Sequence, residues 1–250
     1  MAIEGAKQPI PGAHGRLSLT DEFELVMSGQ SIGLPHSVER VVAYLGLSPQ
    51  PVHRMKLAGA LWPDAQEVLA ARSLRTALWR LHRAGVPIVE MHDDRVALLP
   101  MIRVDVTELL ELTRRLIQAP VEEVLGRLGV LVDNTELLPD WDDEWVIADR
   151  ERFRMLRLGA LERGAERLIE RTEYGRAMEA ALAATLSDPL RESARRLVVR
   201  IHLGEGNLAS ALQAYDDYRI LLRQEIGVEP SPAMRTLIRP YETVAAGSRA

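Results

Sequence analysis

The sequence has no cysteine at all, which rules out disulfides, thiolate metal sites and a thiol nucleophile, and fits a reducing compartment. Lysine is nearly missing too. Only Lys7 and Lys56 occur, and neither follows a G-x-x-x-x-G loop, so a Walker-type phosphate cradle is excluded. No stretch approaches the roughly 20 consecutive apolar residues that a bilayer-spanning helix needs. The opening MAIEGAKQPIPG has neither the basic nor the apolar region of a secretory leader. The chain is therefore expected to be soluble and cytoplasmic, with no membrane partner. Its histidines (His14, His36, His53, His82, His92 and His202) are scattered, with no i, i+4 pair and no H-E-x-x-H, and G-x-S-x-G is absent as well. Trp141 and Trp145 flank Asp142, Asp143 and Glu144, but that spacing reads as one helix face gripping a core, with acids at a helix start where the dipole favours them. No enzyme, cofactor or metal site is expected.

What is present is a reversal of charge. The 250 residues carry a formal charge of -5, yet Val68 to Arg83 holds Arg72, Arg75, Arg80 and Arg83 and no acid. Stepped at 100° per residue, Arg72, Arg75, Thr76, Trp79, Arg80 and Arg83 fall within an arc of about 140°, opposite Ala70, Ala71, Leu74, Ala77, Leu78 and Leu81. One side is apolar and the other suits a polyanion. A guanidinium bridges phosphate oxygens or the O6/N7 edge of guanine with two hydrogen bonds, while Thr76 and Trp79 offer methyl and sugar contacts. The wider charge distribution agrees. Residues 1–104 hold 11 Lys and Arg against 10 Asp and Glu, whereas the remainder holds 20 against 26. A nucleic-acid partner must meet the first half, because the acidic half would repel it.

With 47% apolar residues, the length suits two domains. Residues 1–15, rich in Pro and Gly without apolar period, read as a flexible lead-in. From Arg16 to Leu34 short alternating runs predict a small antiparallel sheet turning at Ser28-Gly29. Helices follow over Ser37 to Leu47, Arg54 to Leu61 and from near Val68 to Gly85. Ile88 to His92 and Arg95 to Leu99 then form a hairpin through Asp93-Asp94. Sheet, three helices and hairpin make a winged helix-turn-helix, whose third helix enters the major groove beside the hairpin. Arg95 stands at the hairpin tip, where it either meets phosphate or balances Asp93 and Asp94. Arg54, at the start of the second helix, is placed for phosphate.

Beyond Val104 the chain reads as helical almost throughout, with helices marked by Leu109 to Leu116, Val121 to Leu131 and Asp143 to Leu168. Tyr174-Gly175-Arg176-Ala177-Met178 superposes on Leu208-Ala209-Ser210-Ala211-Leu212 at an offset of 34 residues, the period of tetratricopeptide helix pairs. The same offset pairs Ala180 with Ala214 and Ile169 with Leu203. Such pairs leave apolar edges that neighbours cover, so this half reads as a protein-contact module. The fold class expected is mostly α, a winged helix-turn-helix followed by a tetratricopeptide-like helical domain.

The segments Leu57-Ala58-Gly59-Ala60-Leu61-Trp62-Pro63-Asp64 and Leu74-Arg75-Thr76-Ala77-Leu78-Trp79-Arg80-Leu81 resemble the positioning and recognition helices of OmpR-type winged helices. Leu137-Leu138-Pro139-Asp140-Trp141 through Val146, Arg150-Glu151-Arg152, and Ala211 to Ser231 resemble the bacterial transcriptional activation domain (BTAD) of actinobacterial antibiotic-regulatory activators. The resemblance covers nearly the whole chain. It implies an OmpR-type DNA-binding domain over residues 16–104 and a BTAD over 105–246. It also implies a dimeric activator on directly repeated promoter elements that recruits RNA polymerase. In such domains the loop before the recognition helix, here residues 62–67, contacts polymerase. Asp64 and Glu67 are the expected contacts, with Trp62 read as core. His82 interrupts the basic run that many relatives carry at the end of the recognition helix. The nucleotide-binding and sensor modules of larger relatives, and a preceding receiver domain, are expected to be absent. The alternative reading is a protein-only adaptor, with a degenerate winged helix on a tetratricopeptide-like scaffold.

Overall fold

The computed structural model describes residues 15–85, 88–133 and 136–247. Residues 1–14 of the expected lead-in lie outside the described residues, and Gly15 opens the first strand. The first elements are β1 (Gly15–Ser18), β2 (Glu24–Met27), β3 (Gln30–Ser31), α1 (His36–Leu47), β4 (Val52–His53), α2 (Arg54–Leu61) and α3 (Glu67–Arg83). Then come β5 (Val89–His92), β6 (Arg95–Leu98), β7 (Ile102–Val104), α4 (Asp105–Gln118), α5 (Glu122–Leu125), α6 (Leu128–Asp133) and α7 (Glu144–Glu170). The last four are α8 (Tyr174–Ser187), α9 (Glu192–Gly204), α10 (Leu208–Glu225) and α11 (Pro232–Gly247). The chain divides into two compact units: the part up to Leu109 together with Glu136–Phe153, and the remainder.

In the first unit, β1 and β2 pair antiparallel, and β2 turns back into β3 at Ser28-Gly29, where the sequence places a turn. Ser28 (φ 50°) and Gly29 (φ 81°) both adopt left-handed backbone, the conformation a two-residue hairpin needs to match strand twist. Two strands escape sequence reading. β7 adds parallel to β1, giving the order β3-β2-β1-β7, and β4 joins the wing hairpin as β4-β6-β5. Leu17 and Leu25 from the first sheet are buried with Val38, Val41, Val42 and Leu45 of α1, Leu57 and Leu61 of α2, and Leu74, Leu78 and Leu81 of α3. Each fully buried side chain of this kind contributes about 1.5–3 kcal/mol, so α3 is held by its apolar stripe and its opposite face is left open.

Asp105 locks this unit. Its carboxylate is buried and accepts from the Leu19 backbone N–H at 3.0 Å, the Thr20 N–H at 3.1 Å, the Thr20 hydroxyl at 2.7 Å and the Val106 N–H at 2.6 Å. The residues from Glu136 to Trp141 join here as well. Leu138 N–H donates to the Leu19 carbonyl at 2.9 Å, and the Arg150 guanidinium donates to the carbonyls of Leu137 and Trp141, each at 2.8 Å. Trp141 precedes α7 rather than sharing a helical face with Trp145, and both indoles are half-buried. The cause is Pro139 and the carbonyl clamp of Arg150, which hold Trp141 in irregular backbone.

In the second unit the single helix expected over Val121 to Leu131 is two, α5 and α6, separated at Gly126-Arg127. The 34-residue offset is realised in the backbone. Thr172 (φ 60°) and Gly206 (φ 78°) occupy equivalent left-handed positions. Around them Glu173 N–H donates to Leu168 O at 2.9 Å and Asn207 N–H to His202 O at 2.8 Å, the same helix-ending hydrogen bond in both copies. Ala177, Ala180, Ala181, Ala184 and Ala211 are fully buried, letting helices approach closely. Arg157, 1% exposed, donates to Leu131 O and to Ser187 Oγ, both at 2.7 Å, and so satisfies the end of α6. Tyr218 donates its hydroxyl to Leu190 O at 3.0 Å. Burial pushes that phenol up to about 12.

Candidate nucleic-acid interface

α3 forms because good helix formers run from Glu67 to Arg83, and it stops where Gly85 (φ 76°) takes left-handed backbone. Glu67 stands in its first turn, with Arg80, His82 and Arg83 in its last, the arrangement the helix dipole favours at both ends. Arg72, Arg75, Thr76, Trp79, Arg80 and Arg83 are all exposed, while Ala70, Leu74, Ala77, Leu78 and Leu81 are buried. Trp79 is 55% exposed, and the Arg83 guanidinium lies 5.3 Å from its ring centre, a stacking that holds both side chains outward. The Thr76 hydroxyl donates to the Arg72 carbonyl at 3.0 Å. Among the described residues, none of the four arginines is in an ion pair. The basic face therefore keeps its charge for an external partner.

The wing adds to this face. Asp93 adopts left-handed backbone (φ 52°) and His92 pairs with Arg95 across the two-residue loop. Arg95 is exposed and donates to the Pro51 carbonyl at 2.8 Å, so its guanidinium is oriented by β4's approach rather than by an ion pair with Asp93 or Asp94. Arg54 opens α2 and is half-buried, with its backbone N–H donating to Asp94 O at 2.8 Å. A cleft of about 280 Å³ brings Arg54 and Arg75 together with His53, Met55 and Asp94. His53 caps α2, accepting from the Met55 N–H at 3.2 Å. Asp64 and Glu67 are both exposed, and Trp62 is half-buried rather than core.

Sequence reasoning missed Val68 and Leu69, which are 79% and 52% exposed at the start of α3. The angular steps that define the basic arc also place both residues inside it, so the signal was in the periodicity. Exposed apolar groups beside a basic helix face are of a kind that suits thymine methyls. His53 gave no signal, because capping by an imidazole depends on local backbone geometry.

Comparison with known proteins accords with this architecture. Residues 129–240 match the model of the bacterial transcriptional activator domain. The chain is 28% identical over 197 residues to the regulatory protein AfsR of Streptomyces coelicolor, an alignment that takes in 73% of this chain and 19% of that protein. It thus spans about a fifth of the length of that curated relative. Among solved structures, Mycobacterium tuberculosis EmbR, in a complex with a low-affinity phosphopeptide, superposes with a TM-score of 0.73 at 19% identity, covering 94% of this chain and 70% of that one. The fold is thereby a winged helix followed by a tetratricopeptide-like helical domain. More particularly, the match to the bacterial transcriptional activator domain falls across α6 to α11. No helix among the described residues is long and apolar enough to cross a membrane.

Proposed function

We propose that the protein is a sequence-specific DNA-binding regulator that lays α3 in the major groove of double-stranded DNA. The observation that carries this reading is the exposed, uncompensated arginine face of α3 on a chain of net charge -5. Arg72, Arg75, Thr76, Trp79, Arg80 and Arg83 face base edges and sugars, Arg54 meets phosphate at the start of α2, and Arg95 meets phosphate beside the wing. Asp64 and Glu67, exposed before and at the start of α3, contact RNA polymerase. Residues 16–104 serve DNA and residues 105–246 serve protein contacts, pairing two copies on directly repeated promoter elements to activate transcription. The protein works in the cytoplasm at the nucleoid, without cofactor.

The division between base and phosphate contacts is tested by Arg80→Ala and Arg54→Ala in binding assays on a mapped operator and on random duplex. Arg80→Ala costs about 1–3 kcal/mol on the operator and relaxes preference at one base, whereas Arg54→Ala weakens both duplexes alike. Equal loss on both duplexes for both variants would remove Arg80 from the base-reading role.

A further inference from the structure

A groove of about 1160 Å³ in the first unit, lined by α1, the end of α2 with the turn before α3, and residues 140–145, has a different chemistry from the basic face. Aromatic residues make up 4% of the chain, yet Trp62, Trp141 and Trp145 all line this one groove. Aromatic neighbours hold the rings of Trp141 and Trp145. Phe23 stacks on Trp141 at 6.0 Å and His36 meets it edge-on at 4.8 Å. Tyr44 meets Trp145 at 5.1 Å, and the two indoles lie 6.2 Å apart. Fixed indoles lose little freedom when a ligand arrives.

The charge at this groove is negative and unspent. Arg40, which lines it, is already engaged: it donates to Asp143 and, at 2.5 Å, to the Leu61 carbonyl, and lies 5.9 Å from the Trp62 ring centre. Asp143 also accepts from the Trp145 indole N–H at 3.2 Å, so it is consumed internally. Asp64, Asp140, Asp142 and Glu144 are exposed, and none of them is in an ion pair among the described residues. Carboxylates beside indole faces form a seat for guanidinium or ammonium groups. The acids do not converge on a metal, since no group of three or more metal-ligating side chains exists among the described residues. The groove has room for more than one side chain, and its field repels nucleic acid.

We propose that this groove docks an arginine- or lysine-bearing segment of another protein, with the cations against Trp62, Trp141 and Trp145 and their charges met by Asp64, Asp142 and Glu144. It includes Asp64, assigned above to a protein contact, but rests on the groove alone and not on DNA binding, so the two readings fail separately. The test titrates the full chain with a short peptide alternating arginine and alanine, followed by calorimetry and tryptophan emission. Saturable binding with an emission change is expected. The isosteric double variant Asp142→Asn/Glu144→Gln weakens it at least about tenfold, while Glu179→Gln/Glu225→Gln, an equal charge change on exposed residues of the second unit, alters it by less than about twofold. Thermal melts of both variants confirm folding. Equal loss in both variants would reduce the effect to long-range charge and overturn the site, as would absence of saturation. Displacement of the peptide by spermidine at matched charge would make the groove a small-polyamine site instead.

Discussion

Asp105 shows how one side chain, silent in the sequence, fixes a unit. Its carboxylate accepts from three backbone N–H groups and one hydroxyl while buried at the junction of β1 and α4. Asp105→Ala leaves those donors without partners and is expected to destabilise the protein by about 3 kcal/mol, with Asp105→Asn costing about half as much. Urea unfolding measures both, and a cost below about 0.5 kcal/mol for the alanine variant would deny the lock. Asp149 makes the opposite contribution. Burial holds its carboxyl above the ordinary value of 3.8, with Arg152 opposing. A folded-state value above the unfolded one means the folded chain binds the proton more tightly, so stability is lost as pH rises through that window. Asp149→Asn should therefore raise the melting temperature at pH near neutrality, and the gain should vanish below the ordinary carboxylate range. A gain that persists in acid would point to packing instead of charge.

At the scale of elements, the repeat supplies its own control. Thr172 and Gly206 hold the same left-handed corner 34 residues apart, but a β-branched residue is strained there and glycine is not. No atom stands within 4 Å of a Cβ built on Gly206, so a substitution there tests backbone alone. Thr172→Gly is expected to be neutral or stabilising by up to about 1 kcal/mol, and Gly206→Thr to cost about 1–2 kcal/mol. The reverse order in thermal unfolding would break the equivalence of the two corners. The elements legible in the sequence are those long enough to show a period or marked by turn chemistry: α2 from Arg54 to Leu61, α3 with its two faces, and the hairpin at Ser28-Gly29. β4 and β7, of two and three residues, are too short to alternate. Their pairing is decided by the strands they meet. The basic face was legible because burial follows the helical period. The tryptophan groove was not, because Trp141 lies in irregular backbone and its neighbours, His36 and Trp62, are remote in sequence.

At the scale of the whole molecule, charge separates the two kinds of partner. A guanidinium face free of carboxylates suits a polyanion, carboxylates around indoles suit cations, and both stand on the first unit. The proposed role turns on whether the first unit engages duplex DNA through α3, Arg54 and Arg95. The most direct measurement is the salt dependence of binding to duplex DNA by the full chain. Counterion release gives a log-log slope of about -0.9 per phosphate neutralised, so the phosphate contacts of Arg54 and Arg95 predict a slope of about -1.8 or steeper. Arg54→Ala should make it shallower by about one unit. A flat response would contradict the account and assign the chain to the protein-only adaptor role.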